Sequence, residues 1–204
     1  VSCTDNVPNF DTERLDELRH NLGQVPDEFI VSEYCVFRAL SRLKVNKALG
    51  TDGLPNKLLK CLAELFASPL CAIINSSIRC GKVPIQWKVA RVSPVPKVSP
   101  PVNVECDLRP ISITSSLAKV AESFMCRHFN NYFQPYLDKN QFGCTANRST
   151  ILALIKFSHY LFTSMDRLDN FGRILFIDFS KAFDLIDHNI LFRKFTELNF
   201  PPHI

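Results

Sequence analysis

The residues best suited to chemistry lie in a short stretch towards the end of this 204-residue chain. An apolar run of strand length, residues 173–177, leads directly to Asp178. A carboxylate at the end of a rigid element could bind divalent cations, since Mg²⁺ prefers one or two carboxylates together with substrate phosphates. In two-metal nucleotidyl transfer, such a carboxylate holds two ions about 4 Å apart, between an attacking hydroxyl and a triphosphate. An aspartate here could instead cap a helix or lie on the surface.

Helices are predicted over most of the chain that precedes this stretch. Ser32 has the character of an N-cap, and apolar residues at helical spacing continue from it as far as Lys47. Two further helices are predicted to begin at Pro55 and Pro69, because proline suits the first helical position. Gly81 is predicted to end the second of them.

The remaining elements combine extended segments with longer helices. Residues 87–96 are predicted to be extended, at a sheet edge or in a ribbon, because prolines cannot occupy a central strand. Thr114 is predicted to cap a long helix, and another helix is expected from Ser149 with apolar residues dense enough for burial on two sides. Residues 173–178 are predicted to form a buried central strand, and Asp187 to cap or brace the following helix. The pattern is therefore α+β and rich in helix.

Five ordered stretches of this chain resemble the reverse transcriptases of non-LTR (LINE-type) retrotransposons. The most specific is residues 176–184, FIDFSKAFD, which resembles the first catalytic aspartate motif of that family. The others, in chain order, are residues 47–55 (KALGTDGLP), 84–90 (PIQWKVA) with 94–97 (PVPK), 109–112 (RPIS), and 141–143 (QFG) with 148–150 (RST). Any one of these stretches alone is a weak signal, whereas five in order make the resemblance specific.

The resemblance implies roles for residues around the aspartate. Asp178 would be a metal ligand, with the backbone carbonyl of Phe179 beside it. Phe183 would block a ribose 2′-hydroxyl, which implies a deoxynucleotide substrate and argues against an RNA polymerase. Phe183 could otherwise be a core aromatic residue on a short helix. Lys181 follows the family pattern and would lie near the phosphates.

The resemblance also implies cations that bind the incoming triphosphate. Lys97 and Arg109 resemble the fingers residues that neutralise charge developing during transfer. A solvated loop lysine is the alternative for Lys97, and a structural salt bridge is the alternative for Arg109. Gln141 and Arg148 would lie near the template or the nucleotide pocket, although residues 144–147 between them depart from the family pattern.

As a whole, the resemblance implies a right-hand polymerase fold with fingers and the beginning of the palm. Residues 1–31 would be an N-terminal connector, and residues 32–204 a partial reverse transcriptase domain with fingers at about 32–170 and palm at about 171–204. The implied partners are two Mg²⁺ ions, an RNA template, a DNA primer and deoxynucleotides, with a possible endonuclease upstream. The chain ends before the later Asp-Asp pair that the family needs, so no polymerisation is expected from these residues alone.

Charge and cysteine content agree with an intracellular nucleic-acid-binding protein. Basic residues outnumber acidic ones between residues 79 and 148, and the net charge is +4, which suits a polyanionic partner or a solvated face. A decayed or co-opted remnant that binds nucleic acid without catalysis is therefore the alternative to an enzyme. The eight cysteines have no metal-ligand spacing and are predicted to be reduced, which suggests a cytoplasmic and nuclear, non-secreted protein. The sequence shows neither a membrane-spanning run nor a signal peptide.

Overall fold

The computed structural model describes residues 25–166, 171–179 and 185–200. Within them, the chain divides into two compact units. The ribbon unit contains residues 25–132 and 196–200. The Asp178 unit contains the described residues between 133 and 195. Most of the predicted N-terminal connector lies outside the described residues, and the predicted domain boundaries stay a prediction.

The described elements mix α-helices with a small antiparallel sheet. The helices are α1 (Glu33–Ser41), α2 (Asn56–Cys61), α3 (Ala63–Cys80), α4 (Val104–Asp107), α5 (Ser116–Phe133), α6 (Thr150–Met165) and α7 (His188–Glu197). The strands are β1 (Arg91–Pro96) and β2 (Leu108–Ile113). Short 3-10 turns occur at Asp27–Phe29, Ile85–Trp87 and Gln134–Tyr136. The helix-rich α+β prediction is confirmed at this level. No helix among the described residues has both the length and the apolar character needed to cross a bilayer.

Local capping signals in the sequence correctly predicted several helix ends. The hydroxyl oxygen of Ser32 accepts a hydrogen bond from the N–H of Cys35, and that of Ser149 accepts one from the N–H of Leu152. Asp187 accepts hydrogen bonds from the backbone at the start of α7. Gly81 ends α3 in the left-handed conformation with φ of 59°, which glycine adopts without steric cost.

Three helix boundaries differ from those predicted. Helix α1 ends at Ser41 rather than continuing to Lys47. The cap of α5 is Ser115 rather than Thr114, because the Ser115 hydroxyl accepts hydrogen bonds from the first free N–H groups of the helix. Pro69 lies inside α3 instead of at its beginning. The proline deprives the Leu65 carbonyl of its helical donor, and because Leu65 is 71% exposed this carbonyl can bind water instead.

The core of the ribbon unit lies where α1, α2, α3 and α5 pack together. Val36 and Leu40 of α1 and Leu59 of α2 are fully buried there. The other buried members of this cluster are Phe29, Val31, Ala63, Leu70, Ile74, Ile78, Val120, Ala121 and Phe124. Trp87, which precedes β1, packs against the edge of the same cluster. The core therefore extends to the base of the sheet.

Strands β1 and β2 form an antiparallel two-stranded ribbon, as expected for the proline-containing extended segment. Arg91 pairs with Ile113 at the base, and Pro96 pairs with Leu108 towards the tip. Pro94 lies opposite Pro110 at a pair whose N–H positions face away from the partner strand, so the two prolines remove no hydrogen bond from the ladder. Beyond the strands, the N–H of Lys97 donates to the carbonyl of Asp107 at 2.7 Å, which extends the pairing by one position.

The predicted central strand before Asp178 does not form. Residues 171–179 have no regular secondary structure, and all of them are exposed, with Phe176 at 86%. A strand needs a neighbouring strand to bind its N–H and carbonyl groups, and among the described residues β1 and β2 pair only with each other. The sequence pattern correctly identified an apolar segment, but not a partner for it.

Helix α6 also differs from its prediction. It is apolar enough for burial on two sides, yet no residue of α6 is buried. Residues 171–179 contact it lightly: the rings of Phe157 and Phe176 have centroids 6.5 Å apart. Gly172 lies so close to the helix that an added Cβ would be 2.9 Å from Cδ1 of Leu161. Much of the apolar surface in the Asp178 unit therefore remains open to solvent.

Candidate nucleotide-binding and metal-binding residues

Lys97 lies at the tip of the ribbon, one residue beyond β1. Its ammonium group donates a hydrogen bond to the carbonyl of Cys106 at 2.7 Å, and its side chain is exposed. The hydrogen bond crosses from one arm of the ribbon to the chain that leads into the other. Lys97 is thus held at the tip and still accessible to an anion.

Arg109 lies on the same face of the ribbon as Lys97. Arg109 pairs with Val95, and directly opposed residues of an antiparallel pair share a face. Lys97 follows Val95 by two positions and so returns to that face, which makes Lys97 and Arg109 diagonal neighbours. The Arg109 guanidinium is exposed and has no hydrogen-bond or ion-pair partner in the part of the chain that the structure describes. No salt bridge to a described residue accounts for it.

Asp107 lies beside these two cations, and backbone N–H groups bind its carboxylate. One carboxylate oxygen of Asp107 accepts hydrogen bonds from the N–H groups of Val102 and Asn103, at 2.9 and 2.8 Å. The bonds from Asn103 and Val102, followed by the positive charge of Lys97, hold the pKa of the Asp107 carboxyl below its usual value of 3.8. Asp107 therefore shapes the loop at the tip while ionised, and it offsets part of the positive charge there.

Arg91 is a third cation on this face that the sequence analysis did not select. It lies an even number of residues before Lys97, so strand alternation brings both side chains to the same side. Its guanidinium donates a hydrogen bond to the carbonyl of Leu49 at 3.2 Å, at the base of the ribbon. The two-residue periodicity could have identified Arg91, but only once the extended segment was known to pair as a ribbon.

Gln141 and Arg148 lie in the loop before α6, in the Asp178 unit. The Gln141 amide donates to the carbonyl of Gly143 at 2.9 Å, and the Arg148 guanidinium donates to the carbonyl of Lys139. Arg148 also lies over the ring of Phe142, at 5.1 Å from its centroid, and Lys156 approaches the same ring at 5.9 Å. The Phe142 ring of the loop is thus approached by one cation from the loop and one from α6. This combination suits nucleic acid.

Asp178 and Phe179 lie at the end of the exposed segment 171–179. The Asp178 carboxylate is exposed, and it has no hydrogen-bond or ion-pair partner among residues 25–166, 171–179 and 185–200. No cluster of three histidine, cysteine or acidic residues suited to a metal ion occurs in that part of the chain. Asp178 is thus an accessible oxygen ligand that no described residue binds.

Two of the predicted nucleotide-binding residues, Lys181 and Phe183, lie outside the described residues. Lys97 and Arg109 belong to the ribbon unit, whereas Asp178 belongs to the other unit. The expectation that all three side chains face one triphosphate therefore stays a prediction. The seven cysteines within the described residues are free, as the sequence predicted.

Comparison with known proteins gives consistent matches. The model of the reverse transcriptase (RNA-dependent DNA polymerase) family matches residues 95–204, which include all of the predicted site residues. A probable RNA-directed DNA polymerase from transposon BS of Drosophila melanogaster is 29% identical over 168 residues, which is 81% of this chain and 18% of that protein. The corresponding protein from transposon X-element is 28% identical over 75% of this chain and 17% of its own length.

A third relative is similar to the same extent. The RNA-directed DNA polymerase from mobile element jockey of Drosophila melanogaster is 27% identical over 81% of this chain and 18% of that protein. The chain spans less than a fifth of the length of these relatives. Because the family model covers more than half of the chain, the chain belongs to the reverse transcriptase (RNA-dependent DNA polymerase) family, in its LINE-type, non-LTR retrotransposon branch.

Proposed function

We propose that this chain forms the fingers and the beginning of the palm of an RNA-directed DNA polymerase. In the complete protein, the enzyme would copy an RNA template by adding deoxynucleotides to the 3′-hydroxyl of a DNA primer. The observation that carries the proposal is the shared face of Lys97 and Arg109, where Arg109 has no partner within the described residues. This face belongs to a chain whose family polymerises nucleotides.

The cationic face of the ribbon suits a triphosphate. Arginine offers a planar fork of N–H donors to phosphate oxygens, whereas lysine acts as a compact point charge. Arg109 provides the fork of donors and Lys97 the point charge, and both side chains are exposed. They would bind the incoming nucleotide and stabilise the negative charge that develops as its phosphoryl group is transferred. Asp107 lies close by, but its carboxylate is held by two backbone N–H groups.

The metal-binding role belongs to Asp178 and the carbonyl of Phe179. Carboxylate and carbonyl oxygens are the donors that Mg²⁺ accepts, and the exposed carboxylate of Asp178, which has no partner within the described residues, fits that requirement. Two bound Mg²⁺ ions would activate the primer hydroxyl and neutralise the triphosphate. Asp178 and Phe179 would hold part of this set, and the remaining oxygen ligands would come from the nucleotide and from later carboxylates of the complete protein.

The other predicted residues would select and align the substrates. Phe183 would exclude the 2′-hydroxyl of a ribonucleotide, and Lys181 would approach the phosphates. Gln141 and Arg148 would contact the template or the nucleotide pocket. These 204 residues alone would bind nucleotides and nucleic acid without polymerising them, because one carboxylate cannot position two metal ions.

The proposal can be tested by measuring the binding of a deoxynucleoside triphosphate with Mg²⁺ to this chain. Arg109→Ala and Lys97→Ala should each weaken binding about tenfold, the effect of losing one charge-assisted hydrogen bond. Arg109→Lys should restore only part of the loss, since lysine cannot bind phosphate with two parallel N–H groups. Arg79→Ala and Lys60→Ala serve as controls, since both side chains are exposed and lie outside the ribbon. Equal losses in the controls and the ribbon variants would contradict a specific triphosphate site.

Primer extension tests the catalytic part of the proposal. This chain should extend no primer, whereas a complete protein containing it should extend one and lose activity on Asp178→Ala. Extension by the chain alone would show that the ligand set proposed here is wrong. A complete protein that binds nucleic acid but never extends a primer would instead be a non-catalytic remnant.

A further inference from the structure

The turn formed by residues 49–53 contacts the base of the ribbon, and we refer to it as the clasp turn. It connects α1 to α2 and lies far in sequence from both strands. The N–H of Gly53 donates to the carbonyl of Gly50 at 3.2 Å, which closes the turn. Asp52 stabilises it further by accepting a hydrogen bond from the N–H of Leu54 at 3.1 Å. The clasp turn is therefore a defined structure and not merely a linker.

The second carboxylate oxygen of Asp52 connects the clasp turn to the end of β2. It accepts a hydrogen bond of 2.5 Å from the hydroxyl of Ser115, which lies two residues after the strand and is 2% exposed. The same hydroxyl oxygen accepts hydrogen bonds from the N–H groups of Leu117 and Ala118 at the start of α5. A carboxylate next to a helix N-terminus is also electrostatically favourable. Asp52 thus fixes the junction between β2 and α5.

Gly50 allows this contact because it has no side chain. An added Cβ would lie 2.7 Å from Cα of Ser115 and 2.8 Å from the carbonyl oxygen of Thr114. Both of these atoms belong to the backbone, so a side chain at position 50 would displace the junction itself. Asn56, just beyond the turn, adds a second link, because its amide oxygen accepts a hydrogen bond from the hydroxyl of Ser116.

The clasp turn also contacts the beginning of β1. The hydroxyl of Thr51 donates to the carbonyl of Val89 at 3.4 Å, and the guanidinium of Arg91 donates to the carbonyl of Leu49 at 3.2 Å. Arg91 and its partner Ile113 form the first pair of the ribbon. The turn therefore touches both arms of the ribbon where they leave the helical core.

Burial alone does not hold the ribbon. Of its residues, only Ser93, Leu108 and Ile113 are half-buried, and the rest of β1 and β2 is exposed. Because the ribbon packs so little surface against the core, contacts at its base must fix its orientation. Those contacts are the hydrogen bonds and the close approach made by the clasp turn.

We propose that Asp52 and Gly50 are positioning residues for the triphosphate, because they fix the direction in which the ribbon presents Lys97 and Arg109. This inference rests on the proposed function, since it assigns a role to residues that support the triphosphate site without touching it. Weakening the clasp should let the ribbon move, and the two cations would then face the triphosphate for a smaller fraction of the time.

The test compares Asp52 variants of this chain by triphosphate affinity and by hydrogen exchange. Asp52→Ala should weaken the binding of a deoxynucleoside triphosphate with Mg²⁺ about threefold to tenfold, through the lost hydrogen bond of a charged group. Amide exchange in β1 and β2 should rise in the same variant. Asp52→Asn keeps an oxygen acceptor for Ser115 and should recover most of the affinity. Glu122→Ala, which removes an exposed acid from α5, is the control with the same change of charge.

A thermodynamic cycle with Arg109→Ala separates positioning from a general loss of stability. If Asp52 acts through the ribbon, Asp52→Ala should have a smaller effect on affinity once Arg109 is replaced, and none once Lys97 is replaced as well. A lower melting temperature with unchanged affinity and unchanged ribbon exchange would reduce Asp52 to a structural residue and overturn the inference. If Asp52→Ala impairs folding, Thr51→Val supplies the same test from the β1 side. A lack of effect of Arg109→Ala alone would instead overturn the proposed function, while ribbon exchange would still report on the clasp.

Discussion

The side-chain amide of Asn75 forms two hydrogen bonds with the backbone of Val31, although 44 residues separate the two in sequence. The Asn75 amide oxygen accepts from the N–H of Val31, and its amide nitrogen donates to the carbonyl, both at 2.9 Å. Val31 is 7% exposed, so its backbone polar groups have little access to water. Asn75 therefore supplies a partner for both backbone polar groups of Val31.

Replacement of this amide should destabilise the ribbon unit. Asn75→Ala leaves the backbone N–H of Val31 without its partner, and we expect the free energy of unfolding to fall by about 2–3 kcal/mol. Chemical denaturation followed by the fluorescence of Trp87, the only tryptophan of the chain, would measure this change. Ser76→Ala is the control on the same helix, since Ser76 is exposed, and it should change stability by no more than about 0.5 kcal/mol. Similar losses in both variants would contradict a specific role for the amide.

The stability of the loop at the tip of the ribbon should depend on pH, because the ionised carboxylate of Asp107 holds this loop. Its pKa in the folded chain lies below the usual 3.8, because the backbone N–H groups of Asn103 and Val102 bind the ionised form. The stabilisation is therefore complete above the pKa of the unfolded chain and is lost as pH falls through the lower, folded pKa. An NMR titration of the Asp107 carboxyl should place its pKa below 3.8, and the protection of the Asn103 amide, relative to its intrinsic exchange rate, should fall at lower pH.

The control for this titration is Asp107→Asn. It removes the charge and keeps an oxygen acceptor, so the protection of the Asn103 amide, relative to its intrinsic exchange rate, should no longer depend on pH in this range. A pKa at or above the ordinary value for Asp107 would show that the two backbone hydrogen bonds do not persist in solution.

Cys71 should react more slowly with alkylating reagents than the exposed cysteines. Burial, followed by the negative charge of Glu33, raises the pKa of the Cys71 thiol above its ordinary value. Its Sγ also donates a hydrogen bond to the carbonyl of Val31. Because the thiolate is the reactive form, maleimide labelling resolved by mass spectrometry should modify Cys61 and Cys80 first. Labelling of Cys71 at the rate of Cys61 in the folded chain would contradict this description.

The cations around Phe142 should contribute to nucleic-acid binding that depends on salt. Non-specific binding of a single strand is expected at a Kd of roughly 10⁻⁴–10⁻⁶ M, and it should weaken steeply with salt. Lys156→Ala should lower the slope of log affinity against log salt by about 0.7, the value for one lost phosphate contact on a single strand. A filter-binding or fluorescence titration measures this slope, with Lys60→Ala as the exposed control. An unchanged slope for Lys156→Ala would show that Lys156 makes no phosphate contact with the bound strand.

Sequence signals succeeded where the interaction is local and failed where it is not. Ser32 and Ser149 cap helices through bonds to residues three positions away, so a short stretch contains the whole interaction. The strand predicted at residues 173–178 requires a neighbour from elsewhere in the chain, and none of the described residues supplies one. The predicted burial of helix α6 was wrong for the same reason, because burial on two sides depends on what packs against the helix.

The candidate site shows the same contrast between local signals and long-range contacts. The family motifs identified Lys97, Arg109 and Asp178 one by one, each from its immediate neighbours. The shared face of Lys97 and Arg109 follows from the pairing register of β1 with β2, which no single motif contains. Asp52 belonged to a recognised motif without an assigned role, because its partner Ser115 lies 63 residues away.

The prolines of the ribbon determine how this arm behaves towards other chains. Since the N–H of Lys97 points across the ribbon, the alternating N–H groups of positions 94, 96 and 110 would point outwards, and all three positions are proline. A strand from another molecule would find no donor at these three positions, which weakens its pairing with either edge of the ribbon. The missing donors should therefore reduce edge-to-edge aggregation of this arm, which exposes Val92 at 57%.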